Sequence, residues 1–409
     1  MLSILTVFYY SLLGYVLLAV VMTWIHVIRN WNDFKPSPWP TANVPFPPVT
    51  FVLAARNCTE TVQNTVNSIL SSCREIPYTN FKILVVTDNE GIPISGADKI
   101  IVPRDYVCKS MYKARALNYA LRFFPNSSGQ WILHLDEDAY PTSVGILAIF
   151  DYIAGSGKPI ANGRAVFPPR PGLDNIITVL GEAQRGCTFY WLISQLKGGE
   201  PYWLNGSNLL VRSDVEQRVG WDFQDCFVGE DMRFGLEAMN VFGSGIFGWY
   251  GGTTIEQAPA TTKALISQRR RWFANSFTDL KFLRGHVYMK LRRVYYITAW
   301  VAGATLALFF FPNLFGLDTV QAATSLIGIV GLSLVFVLWI LRYAVGLHND
   351  FSESSLPFKT RAGYYLSLVL VPVIEVIIGF AALSSLFSPP KTFQITTKQS
   401  SNDDKSIFD

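Results

Sequence analysis

Long apolar segments lie near both ends of the chain. Leu2 to Ile28 has no Asp, Glu, Lys or Arg and, as a helix rising about 1.5 Å per residue, can cross about 30 Å of hydrocarbon. It lacks a basic leading region and a small-residue cleavage site, so it indicates an uncleaved anchor and not a signal peptide. Three more apolar stretches follow late in the chain: Val294–Phe311, Val320–Leu341 and Tyr364–Leu386. The pattern predicts one N-terminal and three C-terminal transmembrane helices.

Basic residues beside these segments predict an orientation. Arg29 and Lys35 follow the first segment, and a basic group precedes the second: Lys290, Arg292 and Arg293. The loop 312–319 has no Lys or Arg, whereas the next loop has three: Arg342, Lys359 and Arg361. By the positive-inside rule, the residues between the anchors face the cytoplasm and the N-terminus faces outside. The alternation also places the tail outside, although three lysines favour the opposite side: Lys391, Lys398 and Lys405.

Between the anchors, short β-branched runs alternate with segments of helical spacing. Val49–Ala54, Phe81–Thr87 and Trp131–Leu135 have the apolar character of buried strands. Thr59–Ser72 and Ser110–Phe124 have apolar positions three and four residues apart, which is typical of amphipathic helices. Strands that alternate with helices predict an α/β domain with a mostly parallel sheet.

The amino-acid composition indicates which binding partner and which kinds of cysteine site to expect. Hydrophobic residues make up 50% of the chain and charged residues 16%, and no run of Lys or Arg suits nucleic acid, so a membrane is the expected partner. The cysteines are odd in number and have no CxxC or Cys/His spacing: Cys58, Cys73, Cys108, Cys187 and Cys226. We therefore expect reduced thiols in a cytosolic compartment, and no disulfide framework or zinc site.

Acidic residues follow two of the predicted strands. Asp88 ends one of them, and Asp136 and Asp138 follow the next. In an open α/β sheet, ligands bind beyond the carboxyl ends of the strands. A pair of carboxylates at this position suits a divalent cation, Mg²⁺ or Mn²⁺, that holds a diphosphate, because these cations prefer oxygen ligands. A solvated acidic turn is the alternative. Glu230 and Asp231 open a later helical segment.

A basic cluster precedes the first C-terminal apolar stretch. Three adjacent arginines, Arg269 to Arg271, are typical of a membrane surface. Gln268, Arg271 and Trp272, however, share one helical face, at positions i, i+3 and i+4. An amide, a guanidinium and an indole together suit a diphosphate and the face of a sugar.

The order D…DxD…(G/T)ED…QxxRW resembles the membrane-bound family 2 glycosyltransferases, which include cellulose, chitin and hyaluronan synthases. The segments KARALNYAL, WILHLDED, WLNGSNLLV, VGEDMRFGLEA and GGTTIEQAP are similar to the egghead-type β-1,4-mannosyltransferases. The similarity extends from about Val49 to Ser276. It implies a GT-A type fold and an inverting transfer of mannose from GDP-mannose to a membrane glycolipid.

The resemblance also implies roles for individual residues. Asp231 is the expected general base, with Glu230 as its orienting neighbour, and Asp138 with Asp136 is the expected metal site. The donor side comprises Ala55, Arg56, Asp88, Lys113, Arg115, Asp136, Gln268 and Arg271. The acceptor side comprises Gly206, Ser207, Asn208 and Trp272. Lys113 and Arg115 have the alternative of capping and solvating a helix. Glu256 also matches the relatives, but the sequence gives it no role.

The apolar segments, the Pro-rich stretch and the motifs together divide the chain into segments. The predicted order is an anchor (residues 1–28), a Pro-rich linker (29–48), a cytoplasmic glycosyltransferase domain (49–260), interfacial helices (261–293), three transmembrane helices (294–388) and a tail (389–409). So few transmembrane helices favour adding one sugar or a few to a lipid-linked acceptor. A processive, UDP-sugar-dependent polysaccharide synthase is the alternative, and a catalytically inactive sugar-nucleotide-binding protein is a third reading.

Overall fold

The computed structural model describes residues 4–34, 46–199, 201, 203–224, 226, 228–278, 280, 287–314 and 325–388. Residues 35–45 of the predicted linker and the predicted tail, residues 389–409, lie outside this range. The described residues form two compact units. One comprises residues 4–29, 167–191 and 258–388, and the other comprises residues 30–166 and 192–257.

Helices and strands alternate through the middle of the chain. The helices are α1 (Ile4–Asn30), α2 (Glu60–Glu75), α3 (Tyr112–Ala120), α4 (Ser143–Gly155), α5 (Ile176–Gly198), α6 (Ser213–Val219), α7 (Glu230–Phe242), α8 (Thr262–Thr278), α9 (Val287–Leu314), α10 (Leu326–Phe351), α11 (Phe358–Leu366) and α12 (Val371–Phe387). The strands are β1 (Val49–Asn57), β2 (Phe81–Asn89), β3 (Asp98–Ile101), β4 (Trp131–Leu135), β5 (Tyr140–Pro141), β6 (Ile160–Val166), β7 (Leu209–Arg212) and β8 (Phe247–Ile255).

The strands form one mixed sheet in the order β3-β2-β1-β4-β7-β6-β8-β5. β1 runs parallel to both β2 and β4, and the β2–β3 and β6–β8 pairs are parallel as well. The pairs of β7 with β4 and β6, and of β5 with β8, are antiparallel. The predicted α/β class with a mostly parallel sheet is therefore confirmed, and the three predicted strands lie within β1, β2 and β4.

Helix α2 packs on the sheet and contributes to the core of the unit that comprises residues 30–166 and 192–257. Val62, Val66 and Ile69 of α2 are buried, as their helical spacing predicts, and they belong to one apolar cluster with Phe51 of β1. Burying a side chain of this size contributes about 1.5–3 kcal/mol. Thr59 caps the helix, because its hydroxyl accepts a hydrogen bond from the Val62 N–H. The core thus holds the carboxyl end of β1 in a fixed place.

The other unit contains helices of membrane-spanning length. Three described segments are long and apolar enough to cross a bilayer: Ile4–Asn30, Leu326–Phe351 and Phe358–Phe387. The last combines α11, a 3₁₀ turn (Ser367–Leu370) and α12, and Pro372 at the start of α12 explains why the helix is not continuous. The predicted stretch Val294–Phe311 lies within α9, and its role as a membrane span stays a prediction.

The predicted start of the next span, residues 320–324, lies outside the described residues. The described helix there, α10, begins at Leu326 and extends ten residues beyond the predicted end. The first part of the predicted loop 312–319 belongs to α9, which ends at Leu314.

Small residues allow close contact between helices of this unit. A Cβ atom added to Gly346 of α10 would overlap the carbonyl group of Ala183 in α5. A Cβ atom added to Gly379 of α12 would overlap Ala304 of α9. Such contacts bring the two backbones close together and increase the van der Waals packing between the helices. Arg342 adds a buried ion pair, with 2.5 Å between its Nη2 atom and Oε1 of Glu375.

We predict that Gly346→Ala destabilises the protein, because the new methyl group meets backbone that cannot move aside cheaply. A loss of about 1–3 kcal/mol should lower the thermal unfolding midpoint in detergent. Gly363→Ala is the matched control, since Gly363 is also helical but has open space around it. The control should be neutral or slightly stabilising. Equal midpoints for both variants would contradict the close contact.

Candidate active site

Polar side chains from several segments meet at one edge of the sheet. β1, β2 and β4 run in parallel, so their carboxyl ends lie at the same edge, and Ala55 of β1 pairs with Thr87 of β2. Asp88 lies at this end of β2, and Asp136 and Asp138 follow β4 directly. The sequence predicts this convergence, because neighbouring parallel strands bring their last residues together.

Asp88 is fixed by an arginine of α3. Its Oδ1 atom lies 2.9 Å from Nη1 of Arg115. The same guanidinium donates to the carbonyl groups of Pro103 and Tyr106. Arg115 therefore shapes the wall beside Asp88, and its predicted contact with a diphosphate stays a prediction. Arg56, at the end of β1, is exposed.

Lys113 lies among the acidic residues of the site. Its ammonium group is hydrogen-bonded to Oδ1 of Asp136 and lies 3.5 Å from Oε1 of Glu230. Burial alone would lower the pKa of Lys113, but the charges of Asp136 and Glu230 outweigh it and raise the pKa above its usual range. Lys113 thus remains a cation and joins the end of β4 to the start of α7. Tyr112, directly before it, has φ of +50°, a left-handed conformation that is costly for a bulky residue.

Asp231 lies in the first turn of α7 and accepts two backbone hydrogen bonds. The Gly206 N–H donates to Oδ2 at 2.7 Å, and the Met232 N–H donates to Oδ1 at 2.8 Å. Burial first, and then the charge of Glu230, raise the pKa of Asp231 from 3.8 to about 7. Lys113 and the Met232 N–H oppose this rise but do not cancel it. The carboxyl can therefore take up or release a proton near neutral pH.

The loop 205–208 faces Asp231 and has almost no freedom to move. A Cβ atom added to Gly206 would lie 3.0 Å from Oδ2 of Asp231, so only a glycine fits there without displacement. The Ser207 hydroxyl donates to Glu256, and the Asn208 amide donates to the carbonyl groups of Arg164 and Gly252. Both side chains are buried.

These contacts bear on the acceptor roles predicted from the sequence. The side chains of Ser207 and Asn208 form hydrogen bonds within the protein. Their acceptor roles stay predictions, and the backbone of the loop would have to make the contacts with the acceptor.

Sequence reasoning did not assign a role to Asn162, although its amide forms hydrogen bonds with both Asn205 and Asn208. The available signal was a polar residue within the apolar strand β6.

The predicted metal site has the donor atoms that a divalent cation needs. Asp138 is 8% exposed, whereas the Asp136 side chain is half-exposed and in contact with Lys113. In the described part of the chain, no group of three or more His, Cys, Asp or Glu side chains is close enough to hold an ion. Two carboxylates nevertheless suffice for a cation that takes its remaining ligands from a diphosphate and water. The residues present therefore fit a substrate-bound Mg²⁺ or Mn²⁺.

The predicted QxxRW residues lie on α8, in the unit that contains the apolar helices. Gln268 and Arg271 are buried, and the Gln268 side chain accepts a hydrogen bond from Arg269. Arg269 is fully buried, with Nη2 3.1 Å from Oε1 of Glu182, so the alternative of membrane-surface charge for the cluster does not apply to this arginine. The Trp272 ring lies 4.3 Å from the Arg269 guanidinium. The donor and acceptor roles of Gln268, Arg271 and Trp272 stay predictions.

The chain is similar in sequence to known proteins. The family model described as "Glycosyl transferase family group 2" matches residues 131–347. The β-1,4-mannosyltransferase bre-3 of Caenorhabditis briggsae is 25% identical over 351 residues, which are 82% of this chain and 75% of that protein. The β-1,4-mannosyltransferase egh of Drosophila melanogaster is 27% identical over 223 residues, 52% of this chain and 48% of that protein.

Among solved structures, a mannosyltransferase, PcManGT from Pyrobaculum calidifontis in complex with GDP-Man and Mn²⁺, has a TM-score of 0.48 and 14% identity. The match covers 93% of this chain and all of that one.

Ionisation of Asp231 should destabilise the folded protein. The pKa of Asp231 rises from 3.8 to about 7 on folding, so the protonated carboxyl stabilises the folded state. This contribution to the free energy of unfolding is complete below pH 3.8 and is lost as the pH rises to about 7. Asp231→Asn cannot ionise. We therefore expect its stability relative to the wild type to increase between about pH 5 and 7, by at most about 1.4 kcal/mol per pH unit, and then to level off.

Thermal unfolding in detergent across this pH range measures the difference. Asp98→Asn, which changes an exposed aspartate of β3, is the control and should show no such trend. A difference between Asp231→Asn and the wild type that does not vary with pH would contradict the raised pKa.

Proposed function

Since this chain belongs to the glycosyl transferase family group 2, as its order of motifs predicts, we propose that it transfers mannose from GDP-mannose to a hydroxyl group of a membrane glycolipid. Family membership and relatives named β-1,4-mannosyltransferases make it a hexosyltransferase, which confirms the enzyme class predicted from the sequence. The observation that carries the proposal is the partly buried carboxyl of Asp231, which is oriented by two N–H groups and has a pKa raised to about 7.

Asp231 is the proposed general base. Its carboxylate accepts the proton of the acceptor hydroxyl as that oxygen attacks the anomeric carbon of the donor sugar. The N–H groups of Gly206 and Met232 fix the plane of the carboxylate, so each oxygen keeps a lone pair for the acceptor proton. Attack on the face opposite the nucleotide inverts the configuration and gives a β-glycoside from an α-linked donor.

The leaving diphosphate needs positive charge. Asp136 and Asp138 would hold the divalent cation, Mg²⁺ or Mn²⁺, which when bound stabilises charge on the departing oxygen. Lys113 supplies a permanent cation next to Asp136 and can also bind a phosphate oxygen. Asp88, with Ala55 and Arg56 at the end of β1, is the proposed wall for the nucleotide base. Gln268 and Arg271 remain proposed diphosphate ligands on the order of the motifs alone.

The apolar helices support our proposal that the acceptor is linked to a lipid. Three described helices are long and apolar enough to span a bilayer, which supports a lipid-linked acceptor within reach of a membrane-anchored enzyme. The distribution of Lys and Arg in the sequence supports a cytoplasmic position for residues 49–260, where nucleotide sugars are found. We therefore propose a multi-pass membrane enzyme that uses a cytosolic donor and a glycolipid acceptor.

Release of nucleotide from a panel of donors tests the function. Purified protein in detergent, supplied with a β-glucosyl lipid, should release GDP from GDP-mannose and add mannose to the lipid, detected by mass spectrometry. Asp231→Asn should lower kcat by about 10²–10⁴-fold while the Kd for GDP-mannose stays unchanged, because the base does not hold the donor. Release of UDP from UDP-glucose or UDP-N-acetylglucosamine with formation of a long polymer would contradict the proposal.

The metal assignment has a separate test. Asp138→Ala should abolish binding of Mn²⁺ in the presence of GDP, measured by electron paramagnetic resonance, and should abolish turnover, because one of two protein ligands is lost. Asp98→Ala, at an exposed aspartate of the same sheet, should retain both properties. Full activity of the wild type in excess chelator would show that the carboxylates of Asp136 and Asp138 have another purpose.

A further inference from the structure

A buried glutamate lies behind the loop that orients Asp231. Glu256 follows the last strand, β8, is 6% exposed, and accepts a hydrogen bond from the hydroxyl of Ser207, which is 2% exposed. Its backbone N–H donates to the Val166 carbonyl at 2.9 Å, at the end of β6. The backbone of Glu256 is thus attached to the sheet, and its carboxylate reaches the loop 205–208.

Ser207 adjoins the group that binds the proposed base. The preceding residue, Gly206, donates its N–H to Oδ2 of Asp231 at 2.7 Å. A shift of Ser207 would move this N–H group, because the two residues share a peptide bond. We propose that Glu256 is a positioning residue: by holding Ser207, it keeps the Gly206 N–H on Asp231. The inference rests on the proposed function, in which Asp231 is the general base.

Hydrogen bonds hold the other residues of the loop, so Ser207 is the residue through which Glu256 acts on the loop. Asn162 donates to the carbonyl groups of Asn205 and Asn208 at 2.7 and 2.9 Å, so it clamps both ends of the loop. Asn208 is further held by the carbonyl groups of Arg164 and Gly252. Between these residues, the Ser207 hydroxyl donates to Glu256 and accepts from the Asn205 side-chain amide at 3.2 Å, so Glu256 is the acceptor that holds the residue next to Gly206.

The chemistry of the tether explains why an acid suits this position. A hydroxyl that donates to a carboxylate forms a charge-assisted bond, about twice as strong as a neutral one. The protein interior strengthens it further, because water does not compete for either partner. Such a bond resists small displacements of the loop, and displacements of about 1 Å in a catalytic group can cost about 10²-fold in rate.

Kinetics of four variants test the inference in the mannosyl-transfer assay. Glu256→Ala should lower kcat by about 10-fold or more without changing the Kd for GDP-mannose, because the base is displaced and the donor side is not. Glu256→Gln keeps an oxygen that can accept from Ser207 but lacks the charge, so it should restore part of the rate. Ser207→Ala should behave like Glu256→Ala, and Glu60→Ala, at an exposed glutamate of α2, should match the wild type.

A double variant separates positioning from a general loss of structure. If Glu256 acts through Asp231, adding Glu256→Ala to Asp231→Asn should cost no further rate. A further loss of similar size, or a wild-type kcat for Ser207→Ala, would overturn the inference. If Glu256→Ala does not fold, Ser207→Ala and its double variant with Asp231→Asn decide the question. A wild-type enzyme that transfers no mannose would contradict the proposed function itself, which separates the two failures.

Discussion

The balance of charge around Lys113 is the interaction on which the candidate site depends. Asp136 follows β4, whereas Glu230 and Asp231 open α7, and these carboxylates would repel one another in a partly buried place. The ammonium group of Lys113 contacts Asp136 and approaches Glu230, so the end of β4 and the start of α7 can lie close together. Asp231 keeps a raised pKa, because burial and Glu230 outweigh the lysine. One cation thus permits three acids to gather, and the carboxyl of Asp231 can exchange a proton near neutral pH.

The sequence predicted the half of the sheet that is built from local patterns. β1, β2 and β4 are short apolar runs separated by helical segments, and the acidic residues at their ends follow from the parallel order. The order of β7, β6 and β8 could not be read in this way, because it depends on pairing between residues that are distant in the chain, antiparallel for β7 and parallel between β6 and β8. Asn162 and Glu256 lie in that half. Their partners are far away in the chain, so no local spacing marks them.

Electrostatic partners were the other feature that the sequence did not reveal. Arg115 is predicted to approach a diphosphate, and the structure shows that it is paired with Asp88 and with the carbonyl groups of a loop. Arg269 belongs to a basic cluster, and it is buried against Glu182. The sequence does not reveal these partners, since a long side chain can reach several neighbouring elements. The apolar helices were easier to predict, because length and hydropathy alone define them.

The contact between Gly206 and Asp231 limits how this site can vary. A methyl group at position 206 would lie 3.0 Å from the carboxylate oxygen, so a larger residue there requires the acid to shift by a few tenths of an ångström. A glutamate at position 231 would be longer by one methylene and could not keep both N–H contacts from the same backbone. The two positions are therefore coupled, and each accessible change at one of them depends on a simultaneous change at the other. Such a pair restricts the mutational routes by which this scaffold could acquire a different chemistry, while the exposed end of β1 remains open to change.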